Sequence, residues 1–244
     1  PYEVQRNTVA MLTTNTRAYV LNGMGTGKTK SAVWAFDYLK KKGLAKRMLV
    51  IAPLSTLKFT WAREVFLTCP HLSVGVLFGS AARRIKILNE GHDIYVFNPD
   101  GLPIIEKALE NRPDIDTFTI DELATFRNGK AKKSKMLMKM AWKRKFVWGM
   151  TGSPTPQSPT DAWAQCRIIT PSTVPDFFTR FRDMVEYKIT QFKHGVKATA
   201  ADVVFKAMQP AVRYTLDDVV ELPEVVERTI DVAFGPLQKK IYEE

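Results

Sequence analysis

The first two thirds of the chain alternate between two hydrophobic patterns. Apolar runs of strand length occur near residues 17–21, 47–53, 72–78, 93–98, 116–120 and 146–150. Apolar residues at helical spacing precede or follow these runs, over residues 4–13, 32–39, 54–67 and 99–110. Strands that alternate with helices are typical of a parallel sheet with helices on its faces. The pattern therefore predicts an α/β fold, with residues 1–170 as its main domain.

The pattern changes in the last third of the chain. Two groups of apolar residues have helical spacing, near 177–185 and 204–208, and no strand is predicted between them. Residues 171–215 are therefore predicted to form a small helical appendage. Residues 225–234 alternate between apolar and polar side chains, which predicts a returning strand, and helical residues follow. Residues 216–244 would thus form a returning strand and an exit helix, and both ends of the chain look cut from a longer polypeptide.

Composition limits the class of protein. Hydrophobic residues make up 45% of the 244 residues and charged residues 25%, which is ordinary for a soluble globular protein with a sizeable core. No apolar run approaches the roughly twenty residues that span a bilayer, and the first residues lack a secretory signal. We therefore expect an intracellular protein without a membrane span.

The cysteines and histidines offer no metal-ligand spacing. Cys69 and Cys166 lie far apart in the sequence. The histidines are isolated as well, namely His71, His92 and His194. No structural metal is therefore expected.

The balance of charge favours a polyanionic partner. Lys and Arg number 36 and Asp and Glu 25, which gives a net charge of +11. The excess is concentrated in residues 129–146, which carry eight basic residues and no acid. A nucleic acid is the first candidate partner, ahead of an anionic membrane surface. A solvated helix face is the alternative interpretation of this basic run.

A glycine-rich segment lies between the first predicted strand and the helix that follows it. Residues 22–29 read NGMGTGKT, and this position is the one that a phosphate-binding loop requires. Lys28 would reach the β- and γ-phosphates, and the Thr29 hydroxyl would bind Mg²⁺. The three glycines would allow positive φ angles and a close approach of backbone N–H groups to phosphate oxygens, and they are Gly23, Gly25 and Gly27.

A pair of acidic residues follows a later strand. Asp121 and Glu122 stand directly after the strand-like run at 116–120. Asp121 could hold Mg²⁺, and Glu122 could orient and deprotonate the attacking water. Since open parallel sheets bind ligands at the carboxyl ends of their strands, both motifs are expected at one edge of the sheet. Lys28, Asp121 and Glu122 are therefore the predicted catalytic residues.

The order of these motifs resembles the first RecA-like lobe of superfamily-two helicases, most closely that of Swi/Snf-type double-stranded DNA translocases. NGMGTGKT is similar to the family's Asp-Glu-Met-Gly-Leu-Gly-Lys-Thr, from which Asn22 and Gly23 depart. In DELATF, Leu123 and Ala124 replace the family's Ala and His. Further ordered motifs of the family resemble residues 51–65, 96–102 and 150–163. The resemblance implies ATP and Mg²⁺ as cofactors, with a nucleotide site formed by Gln5, Gly23, Gly25, Thr26, Gly27, Lys28 and Thr29.

The same resemblance implies residues for other tasks. Thr151 and Ser153 would couple the state of the nucleotide to the DNA track. A second RecA-like lobe of the same polypeptide would close over the nucleotide. A surface for duplex DNA would be formed by Ser55, Thr56, Lys58, Asn98, Arg127, Asn128 and Lys130. Three tryptophans are interpreted as core residues rather than base-stacking platforms, namely Trp61, Trp148 and Trp163.

Three functions remain open from the sequence. The favoured one is an ATP-dependent translocase on duplex DNA, with this chain as its ATP-binding lobe and nearly inactive alone. The second is the lobe of a helicase that separates strands in a restriction or phage replication system. The third is a non-catalytic nucleic-acid-binding module that uses ATP as a switch.

Overall fold

The computed structural model describes residues 1–190, 193–219 and 228–243. Most of the strands join one parallel sheet, and their order in it is β3-β4-β2-β5-β6-β1-β9. The strands of this sheet are β1 (Arg17–Val20), β2 (Arg47–Ile51), β3 (Val74–Leu77), β4 (Ile94–Phe97), β5 (Ile115–Ile120), β6 (Phe146–Met150) and β9 (Ala211–Val212). A separate antiparallel hairpin pairs β7 (Glu186–Lys188) with β8 (His194–Val196).

Helices connect the strands and cover the sheet. They are α1 (Glu3–Thr14), α2 (Lys28–Lys41), α3 (Arg63–Thr68), α4 (Ala81–Leu88), α5 (Leu102–Glu110), α6 (Lys132–Trp142), α7 (Ala162–Ile169), α8 (Phe178–Val185), α9 (Ala200–Ala207) and α10 (Pro236–Glu243). One turn of π-helix, Leu57–Ala62, runs directly into α3.

The core lies on both faces of the sheet. Alternate residues of a strand point to opposite faces, so that Leu49 and Ile51 of β2 join one apolar cluster while Met48 and Val50 join the other. The first cluster includes buried residues of α5, α6 and α7, and the second includes those of α1, α2 and α3. A parallel sheet that is buried on both faces explains why its strands read as continuous apolar runs.

The structure confirms the α/β fold that the sequence predicts. Each of the six predicted strands of the main domain is present, and each of the predicted helices there is present within a few residues. Helices α4 and α7 were not predicted. Helix α4 carries apolar residues at Ile85, Ile87 and Leu88, but only Leu88 is fully buried.

The prediction of a purely helical appendage over 171–215 is wrong. The hairpin of β7 and β8 lies between α8 and α9, and β9 pairs with β1 in the main sheet. These strands have only two or three residues, which is too short for a hydrophobic alternation to show in the sequence. Hydrogen bonds to Tyr19 and Val20 of β1, rather than any local pattern, define β9.

The returning strand predicted at 225–234 is not found in the part of it that the structure describes. Residues 228–235 have no regular secondary structure, and residues 225–227 lie outside the described ranges. The apolar side chains of the pattern are largely exposed, with Ile230 at 77% and Val232 at 81%. A period-two pattern supplies one apolar face, but a strand also needs a neighbour for its backbone, and the described residues provide none there. The exit helix is confirmed as α10.

Arginines close the amino ends of the strands. Arg17 of β1 donates to the carbonyls of Ile168 and Ile169, at 3.2 and 3.0 Å. Buried Arg144 precedes β6 and donates to carbonyl oxygens at 2.8 to 2.9 Å, those of Leu109, Arg112 and Ile115. Each of these guanidinium groups thus satisfies carbonyls where helices and loops end.

An ion cluster lies at the same edge. Asp114, just before β5, accepts from Arg47 at 2.6 Å and from Arg112 at 2.8 Å. Hydrogen bonds from Arg112, together with Arg47, lower the pKa of Asp114 to about 2.

Across the described ranges, every helix is too short or too polar to cross a membrane.

Candidate nucleotide site and nucleic-acid interface

The glycine-rich loop lies at the carboxyl edge of the sheet, between β1 and α2. Gly25 and Gly27 have φ angles of +77° and +82°, a conformation that side chains with a Cβ rarely adopt. Gly27 is also the residue that starts α2, so the amino end of a fourteen-residue helix faces the loop. Free backbone N–H groups and the helix dipole make this end a site for anions.

Gly23 differs from the other two glycines. It lacks a positive φ angle, so of the two uses expected of these glycines it serves only the close approach of the backbone. Its N–H donates to the carbonyl of Tyr214 at 2.7 Å, and a Cβ there would lie 3.6 Å from the same oxygen. The segment after β9 therefore packs against the loop, and Leu216 lies 3.1 Å from the Cβ position of Gly25.

Lys28 is held inside the loop. Its ammonium donates to the carbonyls of Asn22 and Gly23 at 2.9 and 2.8 Å. Burial lowers its pKa, while the nearby carboxylates of Asp121 and Glu122 act in the opposite direction. A partly desolvated cation therefore sits between the loop and the acid pair, where it can contact phosphate oxygens.

The acid pair follows β5. The backbone N–H of Asp121 donates to Ile51 of the neighbouring β2 at 2.8 Å, which fixes where the carboxylate lies. Burial raises the pKa of Asp121, and burial together with the charge of Asp121 raises that of Glu122. Glu122 has a φ angle of +49°, which is uncommon for a residue with a side chain. A largely desolvated Asp121 beside an exposed Glu122, in a strained turn, favours binding of a cation.

The residues present suit Mg²⁺. Mg²⁺ prefers hard oxygen ligands and takes few of them from protein, commonly one or two carboxylates with phosphate oxygens. Thr29, in the first turn of α2, supplies a hydroxyl, and Asp121 supplies a carboxylate. The donor set therefore fits the ion that a nucleoside triphosphate brings.

Further residues of the predicted nucleotide site lie around the loop. Gln5 of α1 is buried, and its amide nitrogen occupies the space that a Cβ on Gly27 would need, so it contacts the end of the loop. The Thr26 hydroxyl donates to the carbonyl of Gly23 at 2.9 Å and closes the turn. Asn22 donates to Thr8 of α1 at 3.3 Å and accepts from the N–H of Tyr214 at 3.1 Å. Asn22 thus ties α1 to the segment after β9.

The loop after β6 contacts the glycine-rich loop. The N–H of Thr151 donates to the carbonyl of Val20 at 3.1 Å, and its hydroxyl pairs with the backbone of Ser153 at 3.3 to 3.4 Å. A Cβ on Gly152 would lie 3.5 Å from the carbonyl oxygen of Asn22. The two residues predicted to couple nucleotide and DNA therefore lie beside the loop.

The expected DNA surface begins after β2. Ser55 and Lys58 are exposed, and the Thr56 hydroxyl donates to the carbonyl of Pro53 at 2.9 Å. Asn98 differs, because its side chain is buried and accepts from Arg84 at 3.1 Å. Arg84 was not predicted, and no local motif marks it.

The second part of the expected surface follows the acid pair. Arg127 donates to the carbonyl of Ala124 at 3.3 Å, and Asn128 accepts from the N–H of Lys130 at 3.0 Å. These residues and the aromatic side chain of Trp163 line a cavity of about 660 Å³. The structure brings Arg127, Asn128 and Lys130 to one cavity, which Asp161 also lines.

Some basic residues of the run at 129–146 have partners within the fold, and others are exposed to solvent. Lys139 pairs with Glu106 and Glu110 of α5, at 3.4 and 3.2 Å, and Lys145 donates to the carbonyl of Leu44. With Arg144 buried, these cations stabilise the fold. Exposed cations remain near the start of the run, at Lys130, Lys132 and Lys135, and near its end, at Lys143.

Two histidines have side-chain partners, since His92 pairs with Glu90 at 3.2 Å and His71 lies in a larger cluster. His71 hydrogen-bonds to Asp37 at 2.7 Å, Lys41 binds the other oxygen of Asp37 at 2.6 Å, and Cys69 lies close by. Burial alone would raise the pKa of Asp37, but these hydrogen bonds outweigh it and lower the pKa. The prediction that His71 stands alone is therefore wrong, because α2 brings Asp37 to the loop after α3.

Sequence reasoning also missed part of the role of Trp61. It is a fully buried core residue as predicted, and so is Trp148, while Trp163 is half-buried. However, the indole of Trp61 donates to Asp121 at 2.9 Å. Only the pairing of β2 with β5 shows this contact, since sixty residues separate the two in the sequence.

A glycine-rich loop between strand and helix, with an acid pair on a nearby strand of a parallel sheet, defines a RecA-like P-loop NTPase lobe. The chain belongs to the SNF2-related domain family, whose model matches residues 5–244. It is thus a helicase-like ATPase domain, and the family implies ATP as its nucleotide.

Curated relatives are similar over most of this chain. Protein CHROMATIN REMODELING 5 of Arabidopsis thaliana is 24% identical over 93% of the chain and 14% of its own length. Chromodomain-helicase-DNA-binding protein 7 of Homo sapiens is 26% identical over 90% of the chain and 8% of its own length. ATP-dependent DNA helicase DDM1 of Arabidopsis thaliana is 29% identical over 64% of the chain and 20% of its own length. The chain thus spans a fifth or less of these relatives.

Solved structures share the fold. The Sulfolobus solfataricus SWI2/SNF2 ATPase core in complex with dsDNA superposes with a TM-score of 0.71, at 22% identity, over 88% of this chain and 44% of that one. The Sulfolobus solfataricus SWI2/SNF2 ATPase core domain gives a TM-score of 0.69 at 21% identity, over 98% of this chain and 49% of that one.

Proposed function

We propose that this chain is the ATP-binding motor lobe of an enzyme that uses ATP hydrolysis to move along duplex DNA. The observation that carries the proposal is the position of Lys28. Its ammonium lies within the glycine-rich loop and close enough to Asp121 and Glu122 for their charges to act on its pKa. A cation and two carboxylates around an anion-binding loop match the needs of Mg²⁺–ATP.

Each residue has a distinct task in this proposal. Backbone N–H groups of the loop bind the α- and β-phosphates, and Lys28 binds the β- and γ-phosphates. Thr29 and Asp121 would hold Mg²⁺, which neutralises phosphate charge when bound. Glu122 orients the attacking water and accepts its proton. Its raised pKa makes it a better base than an ordinary glutamate.

Gln5 would recognise the base. Its amide lies at the end of the loop, and its carbonyl oxygen accepts from the N–H of Tyr2 at 3.1 Å. That bond fixes the direction of the amide before any nucleotide binds.

Support for DNA comes from charge and position. The chain has a net charge of +11, and exposed Lys58 and Lys130 lie on the segments that follow β2 and β5. Both segments leave the carboxyl edge of the sheet, which also carries the nucleotide site. The solved core named in complex with dsDNA has this fold. Contacts of lysine and arginine with phosphates would give binding without sequence preference.

A second lobe is part of the proposal. Phosphoryl transfer commonly requires an arginine that stabilises charge on the γ-phosphate, supplied in cis or in trans. A second RecA-like lobe that closes over the nucleotide would supply it.

Triplex displacement by the full-length polypeptide that carries this lobe tests the proposal. We expect ATP-dependent release of the third strand from a duplex track, no separation of a forked duplex, and loss of release in Glu122→Gln. Separation of the fork would instead favour a strand-separating helicase. DNA binding without any ATP turnover would contradict the proposal of a motor. It would favour the third function, a nucleic-acid-binding module that uses ATP as a switch.

A further inference from the structure

The segment that carries part of the expected DNA surface also reaches the acid pair. Trp61 lies on the π-helix after β2, and its side chain is fully buried. Its indole N–H donates to Oδ2 of Asp121 at 2.9 Å, while Oδ1 accepts from the backbone N–H of Glu122 at 3.0 Å. Each oxygen of the carboxylate is therefore oriented by one hydrogen bond and keeps a lone pair for a further ligand.

Trp61 differs in its acceptor from buried Trp148 and half-buried Trp163. The indole of Trp148 donates to the carbonyl of Asn15 at 3.5 Å, and that of Trp163 to the carbonyl of Pro175 at 2.9 Å. A buried indole needs an acceptor, and a backbone carbonyl is enough. A hydrogen bond to a carboxylate is stronger and fixes a side chain rather than a loop.

The outer side of the same segment faces solvent. Lys58 and Phe59 are exposed, Phe59 at 81%, and they stand two or three residues before Trp61. A π-turn is rare in proteins and is frequently found at functional sites. One turn of π-helix therefore joins a solvent-facing surface to the Asp121 carboxylate through the Trp61 side chain.

We propose that Trp61 is a positioning residue, which orients the Asp121 carboxylate for the metal–nucleotide complex and couples it to DNA bound on the segment 55–59. The inference rests on the proposed function, since it assigns a link between the two sites of that function. A ligand that displaces the π-helix changes the hydrogen bond, and with it the affinity for metal and nucleotide. By linkage, the nucleotide then changes DNA affinity by the same factor.

Trp61→Phe removes the indole N–H and keeps an aromatic ring. Trp148→Phe is the matched control, because that indole is equally buried and donates to a backbone carbonyl. The probes are Mn²⁺–ADP, with bound Mn²⁺ measured by electron paramagnetic resonance, ADP with EDTA, and a duplex oligonucleotide.

We expect Trp61→Phe to weaken Mn²⁺ binding in the ADP complex about tenfold, the effect of one hydrogen bond to a charged group. ADP affinity without metal should stay unchanged, because the loop is intact. Duplex DNA should alter Mn²⁺–ADP affinity in the unaltered chain and in Trp148→Phe, but not in Trp61→Phe. General destabilisation would instead weaken ADP with and without metal alike.

Two results would overturn the inference alone. One is equal Mn²⁺ affinity in the two variants, and the other is an unchanged DNA effect in Trp61→Phe. If the unaltered chain binds no Mn²⁺–ADP, the proposed function fails and the inference with it. The measurement on the unaltered chain therefore distinguishes failure of the proposed function from failure of the inference about Trp61.

A measurement on the unaltered chain is independent of how well the variants fold. The indole ¹⁵N–¹H signals report each tryptophan separately. We expect the Trp61 signal to shift on addition of Mg²⁺–ADP and again on addition of duplex DNA, while that of Trp148 stays. A Trp61 signal that responds to neither ligand would overturn the inference.

Discussion

The two ends of the parallel strands use charged residues in opposite ways. At the amino edge, Arg17 and Arg144 donate to carbonyl oxygens, and Asp114 is held by two arginines. At the carboxyl edge, Asp121 and Glu122 lie side by side with raised pKa values, and Lys28 has a lowered one.

The contrast separates stability from function. Most charged groups at the amino edge have hydrogen-bond partners that stabilise the fold, although burial also lowers the pKa of Arg17 and Arg144, and Nε of Arg144 has no hydrogen-bond partner among the described residues. Charges at the carboxyl edge are desolvated but only partly compensated, and Glu122 is held in a strained backbone conformation. A ligand that carries phosphates and a bound cation would supply negative charge to Lys28 and positive charge to the two carboxylates. Changes at the two edges should therefore alter different measurements.

The largest effect is expected for turnover at the carboxyl edge. The lobe alone should hydrolyse ATP about 10³- to 10⁵-fold more slowly than a polypeptide extended through a second lobe, because an arginine finger is typically worth that factor. Steady-state phosphate release, with and without duplex DNA, measures it. Brisk DNA-stimulated ATP turnover by the lobe alone would contradict the expectation. Arg127 would then be the first candidate for an arginine finger supplied by this lobe itself.

At the amino edge, Arg144→Met should lower the free energy of unfolding by about 3 kcal/mol, since three carbonyl oxygens lose their buried donors. Nucleotide affinity of the folded variant should stay unchanged. Denaturant unfolding and a nucleotide titration check the two halves. The control is Lys143→Ala, an exposed neighbour. A variant as stable as that control would show that the arginine does not hold this edge together.

Asp114→Asn should cost about 1 kcal/mol of unfolding free energy at neutral pH, because hydrogen bonds from the arginines lower the pKa of Asp114 to about 2 on folding and solvent screens this partly exposed cluster. A carboxyl whose pKa is depressed in the folded state contributes stability above its unfolded pKa. That stability is lost as the pH falls from about 4 towards 2. The difference between Asp114→Asn and the unaltered chain should shrink over this range, and a constant difference in unfolding curves would argue against the ion cluster.

The smallest effect is expected for single lysines on DNA. Lys58→Ala should reduce the slope of log K against log salt by about 0.9, the value for one phosphate contact on a duplex. Lys145→Ala, an exposed lysine at the amino edge, should leave the slope unchanged. Fluorescence anisotropy over a salt series gives both slopes. Equal slopes for the two variants would remove Lys58 from the DNA surface.

The sequence predicts the carboxyl edge better than the rest of the chain. Strand runs such as RMLVI and a glycine-rich loop are local signals, so the sheet and the loop could be assigned from them. Pairing between distant residues could not. The two-residue β9, the burial of Asn98 by Arg84, and the contact of Trp61 with Asp121 each depend on which strands are neighbours.

At residues 225–234, a clear local pattern predicts a strand that the described part of the segment does not form. Its alternation of apolar and polar residues is clear, but Ile230 and Val232 are exposed in the structure, and no described strand pairs with residues 228–234. A local pattern gives the preference of a segment, while a strand requires a partner.

The central claim is that Lys28 makes the carboxyl edge an ATP site. Titration of a fluorescent ATP analogue with Mg²⁺ into the unaltered chain, Lys28→Ala and Lys30→Ala tests it directly. Lys30 is the matched control, because it lies one residue further along α2 than Thr29 and pairs with Glu64 at 3.4 Å, away from the loop. We expect Lys28→Ala to lose most of the affinity, at unchanged thermal stability, and Lys30→Ala to retain it. Equal affinity of the three proteins would contradict the claim.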